Sequence, residues 1–432
     1  MKILIAPGTT GIGMEIMRSL RRAKQVQLLG CGFDAKKGLE QDFSDFIFMP
    51  KPVDASHLSR MLTSIVRSHE IDLIYLAHDQ WLRFLTCIDL PREMQERIIN
   101  LPSGFNSVLL SKRQTYATLN IKHLKPKIID FVDSSSIFPV FAKPDIGQGS
   151  INARAIHDQD ELRKLLGNLD LESNSEYVIT EFLPGPEFTI DCFSNSRHEV
   201  LYSQSRIRMK THSGIAIETR QIDLPNINEW AEAISQQYNL IGAWFFQLKE
   251  DVNGNMKLLE IGIRVAGASG INRVLGVNLA LMNLYQFLGH QVKVLKQNID
   301  VVYFQPSNSA RVNLKIRDAF FDYDDTLTHD GIINERIKEH MLKLHNAGSR
   351  VFLLTRNQND LDSSLSTCGL LPIIERVIKV TNSEKKSDFI VGAENFLFVD
   401  DSHQERLDVY SKKGKRGLIL DPSAFETDLK FD

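Results

Sequence analysis

The fold of the C-terminal part of the chain is decided by the stretch AFFDYDDT (Ala319–Thr326). An apolar run that ends in carboxylates is typical of a buried strand that reaches the edge of a parallel sheet. Because side chains alternate along a strand, Asp322 and Asp324 are expected to share one face at that edge. Two neighbouring carboxylates suit Mg²⁺, and the ion allows one of them to act as a nucleophile towards phosphorus.

Two apolar runs further along the chain also end in polar side chains. Val351–Leu354 ends in Thr355, and Leu397–Val399 ends in the pair Asp400–Asp401. Between these runs, Lys385–Lys386 stands at the start of a short helical pattern. Fixed donors and a cation are what a phosphoryl group needs while charge spreads over its oxygens. The order of these segments therefore favours a phosphatase-like site over a set of strand-end acids without chemistry.

Together, the segments from Phe320 to Glu405 resemble the haloacid dehalogenase (HAD) superfamily of phosphohydrolases, whose four motifs they match. The resemblance implies that Asp322 attacks the phosphoryl group. It implies that Asp324 protonates the leaving oxygen and then activates water. It also implies that Asp322, Asp324 and Asp401 bind Mg²⁺.

The same resemblance assigns the phosphoryl oxygens to Thr355 and to one lysine. We expect that lysine to be Lys386, because a helix start follows it, and Lys385 is the alternative. The connections between the motifs are too short for the cap domain that many members of this superfamily carry. An open pocket is therefore expected. It suits a bulky phosphorylated metabolite, or one that another part of the same polypeptide covers.

Composition limits the class of protein. At 432 residues the chain is too long for one core, and the usual domain size predicts about three domains. The formal net charge of −3 provides no general attraction to nucleic acid or to anionic membranes. The four cysteines lie far apart and are expected to be reduced thiols in a cytoplasmic protein. No apolar run reaches the roughly 20 residues that span a bilayer, so no membrane contact is expected.

The fold class expected from these patterns is α/β multidomain. Short apolar runs alternate with helical patterns over residues 1–105, which predicts a Rossmann-like domain with a parallel sheet. Residues 106–300 mix β-rich stretches with helices and predict an α+β domain. Gln305–Leu314 contains proline and small polar residues and is expected to be a linker. Residues 310–432 form the expected capless phosphatase-like domain.

The middle of the chain carries a second set of polar strand ends. The strand pattern Phe141–Pro144 includes a lysine and precedes the glycine-rich turn Asp145–Ser150. A fixed lysine that faces a glycine-rich turn is suited to hold phosphate groups. Further polar side chains follow in the strand patterns Val178–Asp191, Phe246–Gln247 and Leu258–Arg264.

In this order the set resembles the ATP-grasp superfamily, most closely its carbamoyl-phosphate-synthase-like ligases, over roughly residues 1–290. The resemblance implies ATP and Mg²⁺ as cofactors, small-molecule carboxylate and amine-type substrates, and often a homodimer. The residues that it assigns to the nucleotide are Lys112, Lys143 and Ser150 at the phosphates, Glu181, Phe182 and Leu183 at the adenine, and Glu187 at the ribose. The residues that it assigns to the reaction are Gln247 and Glu260 on Mg²⁺, and Arg264 at the transferred phosphate or the acyl phosphate.

This sequence departs from the family pattern at two positions. The family usually has E-x-N-x-R, with the asparagine as a metal ligand, but the middle position here is Gly262. A glycine supplies no side-chain ligand, so a module that binds nucleotide without ligating is the alternative. Asn152 replaces a common glycine in the phosphate loop, and asparagine tolerates a positive φ.

A nicotinamide dinucleotide is a cofactor suggested by Gly8–Gly13. This stretch follows the first strand and opens a helix, and Asp34 comes about 20 residues later. This resembles a dinucleotide-binding fingerprint, although the spacing is not G-x-G-x-x-G. The alternative is that these glycines only let the helix pack on the sheet. Asp79 is a candidate substrate contact, or one member of a strand-end hydrogen-bond pair with His78. Arg206 and Arg208 are candidate anchors for an acidic substrate, or merely exposed strand charges.

The main hypothesis is a bifunctional enzyme that joins a carboxylate to an amine and removes a phosphate ester. The second is a phosphatase whose ATP-grasp module binds nucleotide but does not ligate. The third is a processor of polynucleotide ends, and the nearly neutral charge argues against it.

Overall fold

The computed structural model describes residues 1–24, 26–33, 42–99, 101, 104–129, 138–147, 151–166, 176–212, 214–295, 301–305, 309–391, 394–414 and 417–431. The chain divides into two compact units. The N-terminal unit comprises Met1–Met17, Gln27–Ala268 and Met282–Val292, and the C-terminal unit comprises Arg18–Val26, Ser269–Leu281 and Lys293–Asp432. This division does not follow the three predicted domain ranges residue for residue, and those ranges remain a prediction.

The N-terminal unit begins with the predicted parallel sheet. Its strands are β1 (Lys2–Ala6), β2 (Gln27–Gly32), β3 (Asp45–Phe48), β4 (Leu73–Leu76) and β5 (Ile98–Ile99), in the order β3-β2-β1-β4-β5. The helices along this part of the chain are α1 (Gly11–Leu20), α2 (Ala55–His69), α3 (Asp79–Thr86) and α4 (Arg92–Gln95). Alternate apolar side chains of the strands pack against Leu58 and Leu62 of α2 and Trp81 of α3.

The glycines after β1 are explained by close packing. A Cβ atom on Gly13 would lie 2.3 Å from the carbonyl oxygen of Gly8 and 2.4 Å from that of Pro7. No side chain fits there, because the start of α1 lies directly on the turn that leaves β1. This contact supports the packing explanation of the glycines, while Asp34 lies outside the described residues.

A small antiparallel sheet follows along the chain. It consists of β6 (Val140–Pro144), β7 (Arg154–Ile156) and β8 (Tyr177–Glu181), in the order β7-β6-β8. Helix α5 (Lys112–Thr118) precedes it, and α6 (Gln159–Leu166) lies between β7 and β8. Val140 and Ala142 pack into an apolar cluster, so Phe141 and Lys143 point to the other side of β6.

The third sheet of the N-terminal unit is antiparallel and has one apolar and one polar face. Its strands are β9 (Glu187–Ser194), β10 (Val200–His212), β11 (Ile215–Gln221), β12 (Gly242–Glu250) and β13 (Met256–Gly262), in the order β13-β12-β9-β10-β11, with α7 (Ile227–Tyr238) between β11 and β12 in sequence. Phe188, Ile190 and Phe246 belong to the core on one face. Strand alternation therefore directs Thr189 and Gln247 to the opposite face.

After β13 the chain forms α8 (Gly270–Val274), α9 (Leu279–Phe287), β14 (Val301–Gln305) and β15 (Ser309–Val312). The prediction of a linker over Gln305–Leu314 is therefore wrong. β15 pairs antiparallel with β14 and parallel with the last strand, β23 (Asp428–Phe431). Ala310 and Val312 are fully buried, and this two-residue periodicity outweighs the polar residues of the turn before them.

The C-terminal unit contains the predicted second parallel sheet. Its strands are β16 (Asp318–Phe321), β19 (Arg350–Thr355), β20 (Ile374–Lys379), β21 (Phe396–Val399) and β22 (Gly417–Leu420), in the order β20-β19-β16-β21-β22. The remaining elements are the two-stranded β17 (Thr328–His329) and β18 (Ile332–Ile333), and the helices α10 (Glu335–Asn346), α11 (Asp362–Thr367), α12 (Lys386–Phe389) and α13 (His403–Lys413). Phe320 stacks on Phe352 with ring centroids 4.9 Å apart, which helps to fix β16 beside β19.

Two predictions from composition can be compared with the structure. The four cysteines are free thiols, as expected. Among the described residues, every helix is too short or too polar to cross a bilayer.

Candidate functional site

Three carboxylates meet at the carboxyl edge of the C-terminal parallel sheet. Ligand oxygens of Asp322, Asp400 and Asp401 all lie within 4.8 Å of one another. The meeting follows from the register, because Phe321 of β16 pairs with Val399 of β21 and both strands run in the same direction. The residues after these two strands therefore emerge side by side, and their oxygens form a donor set that suits Mg²⁺.

A buried lysine stabilises two of these carboxylates. Lys386 Nζ lies 2.8 Å from Asp322 Oδ1 and 2.6 Å from Asp400 Oδ2, and its side chain is 3% exposed. Burial, and then the charge of Asp400, raise the pKa of Asp322 to about 7, while Lys386 opposes the rise. The structure places Lys386 against the cluster, whereas Lys385 is the residue before α12.

Thr355 and Asp324 lie near this edge but make other contacts. Thr355 is fully buried at the end of β19, the neighbour of β16, and its hydroxyl accepts a hydrogen bond from the Asn357 N–H at 3.1 Å. Asn357 Nδ2 donates to Asp324 Oδ1 at 3.0 Å. Asp324 is not one of the three clustered carboxylates, and the roles predicted for both residues remain predictions.

Sequence reasoning missed two residues of this edge. The first is Asp400, which the sequence analysis does not name as a ligand. Its position directly after β21 is the feature that could have indicated it. Its Oδ1 accepts a hydrogen bond from the Ser402 N–H at 2.8 Å. The second residue is Lys24, whose Nζ lies 2.8 Å from Asp401 Oδ2. No sequence pattern links Lys24 to this site, because the contact depends entirely on the tertiary fold.

The other candidate site is a pocket in the N-terminal unit. Seven of the residues predicted to bind nucleotide or metal line it: Lys112, Lys143, Glu181, Leu183, Glu187, Gln247 and Glu260. They come from the small sheet β7-β6-β8, from the larger antiparallel sheet and from the chain beside them. Phe182 and Arg264 lie outside this lining, and Ser150 lies outside the described residues.

Lys143 is a buried cation of the pocket, and its pKa is lowered. Its Nζ donates to the hydroxyl of Tyr116 at 2.5 Å and to the carbonyl oxygen of Leu259 at 3.4 Å. Burial, and then the charge of Lys112, lower the pKa of Lys143 to about 7. An anion in the pocket would restore the charged form, because an opposite charge favours the ammonium group.

Lys112 is positioned by the capped start of α5. The Ser111 side chain accepts a hydrogen bond from the Gln114 N–H at 3.1 Å and donates to Asp145 Oδ2 at 2.7 Å. Lys112 Nζ donates to the carbonyl oxygen of Gly147 at 3.1 Å. The cap therefore connects Lys112 to the beginning of the glycine-rich turn, as a phosphate cradle requires.

The predicted metal ligands of the pocket face each other across two strands. Gln247 of β12 and Glu260 of β13 are register partners, so their oxygens are on the same face. The next pair is Phe245 and Gly262. A Cβ atom on Gly262 would lie 2.3 Å from Cε1 of Phe245. The phenyl ring thus occupies the position from which the family's asparagine would extend.

Arginines cover the carboxylate and amide oxygens of this face. Arg208 donates from Nη1 to Glu187 and, at 3.4 Å, to Gln247 Oε1. Arg206 Nε lies 2.8 Å from Asp191 Oδ2, and both side chains are buried. Arg206 and Arg208 therefore belong to the polar face of the sheet, although an acidic substrate stays a prediction.

Arg264 forms a two-point ion pair with Asp79. Its Nε and Nη2 donate to the two carboxylate oxygens at 2.5 Å and 2.6 Å. Burial acts against the charged carboxylate, but the Arg264 guanidinium overcomes it and lowers the pKa of Asp79. The guanidinium carbon also lies 5.1 Å from the ring centroid of Phe245. The pairing gives Asp79 a structural partner that sequence reasoning did not predict.

Comparison with protein families gives one match. Residues 173–307 match the family described as "ATP-grasp in the biosynthetic pathway with Ter operon", which is less than half of the chain. No curated protein matches the chain in sequence.

Solved structures share the fold of about two thirds of the chain. The biotin carboxylase domain of Hydrogenobacter thermophilus 2-oxoglutarate carboxylase, solved as a dimer with MgADP, ADP and bicarbonate, is 12% identical, with a TM-score of 0.53 over 68% of this chain and 70% of its own. Campylobacter jejuni biotin carboxylase, solved as a β-γ-ATP complex, is 14% identical, with a TM-score of 0.54 over 68% and 72% of the two chains. Staphylococcus aureus N5-carboxyaminoimidazole synthetase, complexed with ADP, is 15% identical, with a TM-score of 0.50 over 67% and 78%. The predicted ATP-grasp fold is therefore confirmed.

The contact between Gly262 and Phe245 makes a prediction about stability. Gly262→Asn is expected to lower the free energy of unfolding by about 1–3 kcal/mol, because the new side chain overlaps the ring. Gly262→Asn should cost less in a Phe245→Ala background than in the wild-type background, because the ring that overlaps the new side chain is absent there. Chemical denaturation of the single and double variants measures both effects. Equal stability of Gly262→Asn and the wild type would contradict the overlap.

The pKa of Asp322 makes a prediction about pH. A folded-state pKa of about 7 lies above the ordinary value of about 3.9, so the folded protein keeps a proton that the unfolded chain has released. Stability is therefore expected to fall as pH rises from about 4 to about 7. Asp322→Asn removes this cost and should be more stable than the wild type at pH 8, by about 1–3 kcal/mol, and less so at pH 5.

Thermal unfolding at pH 5 and pH 8 tests this dependence. The matched control is Asp330→Asn, because the Asp330 side chain is 90% exposed and its charge costs no burial. A stability difference for Asp322→Asn that does not change with pH would contradict the burial of a charged Asp322.

Proposed function

We propose that the chain is a bifunctional enzyme, in which an ATP-dependent carboxylate–amine ligase and a magnesium-dependent phosphomonoesterase share one polypeptide. The observation that carries the proposal is the pocket of the N-terminal unit, which brings together seven residues that the sequence predicts as nucleotide or metal ligands. Among them, Lys112 and Lys143 supply cations, and Gln247 and Glu260 supply oxygens. The nucleotide and magnesium in the solved neighbours support ATP and Mg²⁺ as the cofactors of this chain.

The ligase half activates a carboxylate. A carboxylate is a poor electrophile because its leaving group would be oxide. In an acyl phosphate, an amine attacks the carbonyl carbon and phosphate leaves. Lys143 and Lys112 would hold the triphosphate, and Arg264 would meet the transferred group after giving up part of its pair with Asp79. Mg²⁺ held by Gln247 and Glu260 would neutralise charge on the phosphates.

The phosphatase half follows from the carboxylate cluster of the C-terminal unit. Asp322 would attack phosphorus and form an aspartyl phosphate, and the alcohol leaves with a proton from Asp324. Asp324 then takes a proton from the water that hydrolyses the intermediate. Lys386 keeps Asp322 partly ionised despite burial, since its ammonium group opposes the rise in the pKa of that carboxyl. Mg²⁺ on Asp322, Asp400 and Asp401 would neutralise the phosphoryl oxygens.

A second candidate function is a phosphatase whose ATP-grasp module binds nucleotide without ligating. The specific observation in its favour is the ring of Phe245. It fills the space into which the family's asparagine side chain would extend at the position of Gly262. With one ligand fewer, a second metal ion would be held less firmly. Phosphoryl transfer would then be slowed, whereas nucleotide binding would be retained.

Lys143 provides a test of the nucleotide site. Its pKa of about 7 in the free protein means that it is mostly neutral at pH 8, and the triphosphate would restore its charge. Binding of MgATP at pH 8 is therefore expected to take up close to one proton, and affinity should fall by up to about tenfold per pH unit above pH 7. Calorimetry in two buffers with different ionisation enthalpies measures the uptake.

The matched control for this measurement is Lys143→Arg. Arginine stays charged throughout this pH range, so that variant should bind MgATP without proton uptake. Equal uptake by the variant and the wild type would show that another group titrates. Undiminished MgATP binding by Lys143→Met would contradict the proposal that Lys143 holds the triphosphate.

Asp322→Asn provides the test of the combined activity. Supplied with ATP, Mg²⁺ and a cell metabolite extract, the variant is expected to release ADP and to accumulate a phosphorylated condensation product. The wild type should release the dephosphorylated product, because only it retains the nucleophile. Mass spectrometry of the two reactions identifies the carboxylate and the amine.

Lys143→Met is the control for ADP release in that experiment, since it should lose the first step and keep the second. Release of ADP by neither the wild type nor Asp322→Asn, together with phosphatase activity of the wild type, would favour the non-ligating alternative.

A further inference from the structure

Lys24 is a cation at the carboxylate cluster that the proposed function does not use. Its Nζ lies 2.8 Å from Asp401 Oδ2 and 3.0 Å from Asp325 Oδ2. Asp401 is one of the three residues whose oxygens are grouped as metal ligands. The Lys24 side chain is 55% exposed, so it is free to turn away from these oxygens. A mobile ammonium group therefore rests on a carboxylate that a metal ion would need.

The backbone that carries this lysine is fixed to the C-terminal unit. Arg22 Nε donates to Glu426 Oε1 at 3.4 Å, and its Nη2 donates to Asn334 Oδ1 at 3.1 Å. The Glu426 side chain is 1% exposed, and a buried carboxylate strongly requires such a partner. Asn278 Nδ2 donates to the carbonyl oxygen of Ser19 at 2.7 Å. The approach of Lys24 to the cluster is thus held at two points of its own segment.

We propose that Lys24 is a substrate-binding residue of the phosphatase site, which pairs with Asp401 and Asp325 until a divalent cation takes the Asp401 oxygen. The inference rests on the proposed function, because it names a contact between that same site and its substrate. An ammonium group and a divalent cation repel each other when they share one carboxylate. Lys24 therefore leaves Asp401 when the metal binds, and its ammonium group then turns between Asp325 and a phosphoester bound beside the metal.

Charge explains why such a contact is needed. Two lysines, Lys24 and Lys386, stand against a larger number of carboxylates around the site. Those carboxylates are Asp322, Asp324, Asp325, Asp400 and Asp401. Without Mg²⁺ this set repels a phosphomonoester dianion, and with Mg²⁺ bound the charges nearly balance. A lysine on a flexible stem then adds three rotatable donors for the dianion. The ligand class is thus a phosphomonoester, and Lys24 contacts its non-bridging oxygens.

Binding of Mg²⁺ alone tests the first half of the inference. Lys24→Met removes the internal competitor, so it should bind Mg²⁺ about three- to tenfold more tightly than the wild type, as calorimetry with the full-length protein measures. Lys24→Arg should stay near the wild type. Lys338→Met is the matched control, because Lys338 pairs with Glu335 on α10 and makes the same change in net charge. Unchanged Mg²⁺ affinity in Lys24→Met would overturn the proposal.

Binding of inorganic phosphate at saturating Mg²⁺ tests the second half. Lys24→Met is expected to bind phosphate several-fold more weakly than the wild type, although it binds the metal more tightly. Opposite signs for the two ligands distinguish a substrate contact from a structural role, which would weaken both. Equal phosphate affinity in Lys24→Met and the wild type would overturn the proposal, and so would failure of the magnesium-loaded wild type to bind millimolar phosphate.

Failure of the proposed function gives a different result. If the magnesium-loaded wild type hydrolyses no phosphomonoester but the two binding shifts of Lys24→Met persist, the phosphatase reaction is wrong and the anion contact is right. If hydrolysis depends on Asp322 but Lys24→Met shows neither shift, the reaction is right and the role of Lys24 is wrong.

Discussion

The C-terminal unit depends on the contact of one buried ammonium group with two buried carboxylates. Lys386 lies between Asp322 and Asp400 at hydrogen-bonding distance from both. Carboxylates brought together by parallel strands repel each other and lose hydration, so this edge of the sheet is stable only with a compensating cation. The same contact keeps Asp322 partly ionised, because Lys386 opposes the rise in its pKa that burial and Asp400 cause. The stability of this edge and the ionisation of Asp322 therefore depend on one interaction.

In the N-terminal unit, strand alternation separates the apolar side chains from the polar ones. One face of the sheet β13-β12-β9-β10-β11 joins the core, and the other collects polar groups that a nucleotide and its metal ion require. The register that pairs Gln247 with Glu260 also pairs Phe245 with Gly262. One alignment of two strands thus places two side-chain oxygens on the same face and leaves no space for a side chain at Gly262. The departure from the family pattern at Gly262 is accommodated by the aromatic ring beside it.

In both candidate sites, internal cations contact the carboxylate and amide oxygens. Arg208 contacts Glu187 and Gln247 in the pocket, and Lys24 contacts Asp401 at the cluster. Clustered carboxylates without a metal ion would otherwise repel each other, so such contacts stabilise the free protein. Ligands that arrive must displace these cations, which lowers affinity but leaves a positive group beside the incoming phosphate.

The sequence alone determined the elements with strong periodicity and the residues at their ends. The runs before Asp322, Thr355 and Asp401 became neighbouring parallel strands, because apolar runs of that length are buried only in such a sheet. The strand Ser309–Val312 was missed, since its burial comes from pairing with β23, far away in sequence. Lys24 and Asp79 obtain their partners only in the folded chain. Local patterns fix which residues stand at strand ends, but long-range register and packing decide which charges meet, and one sequence carries no direct record of those distances.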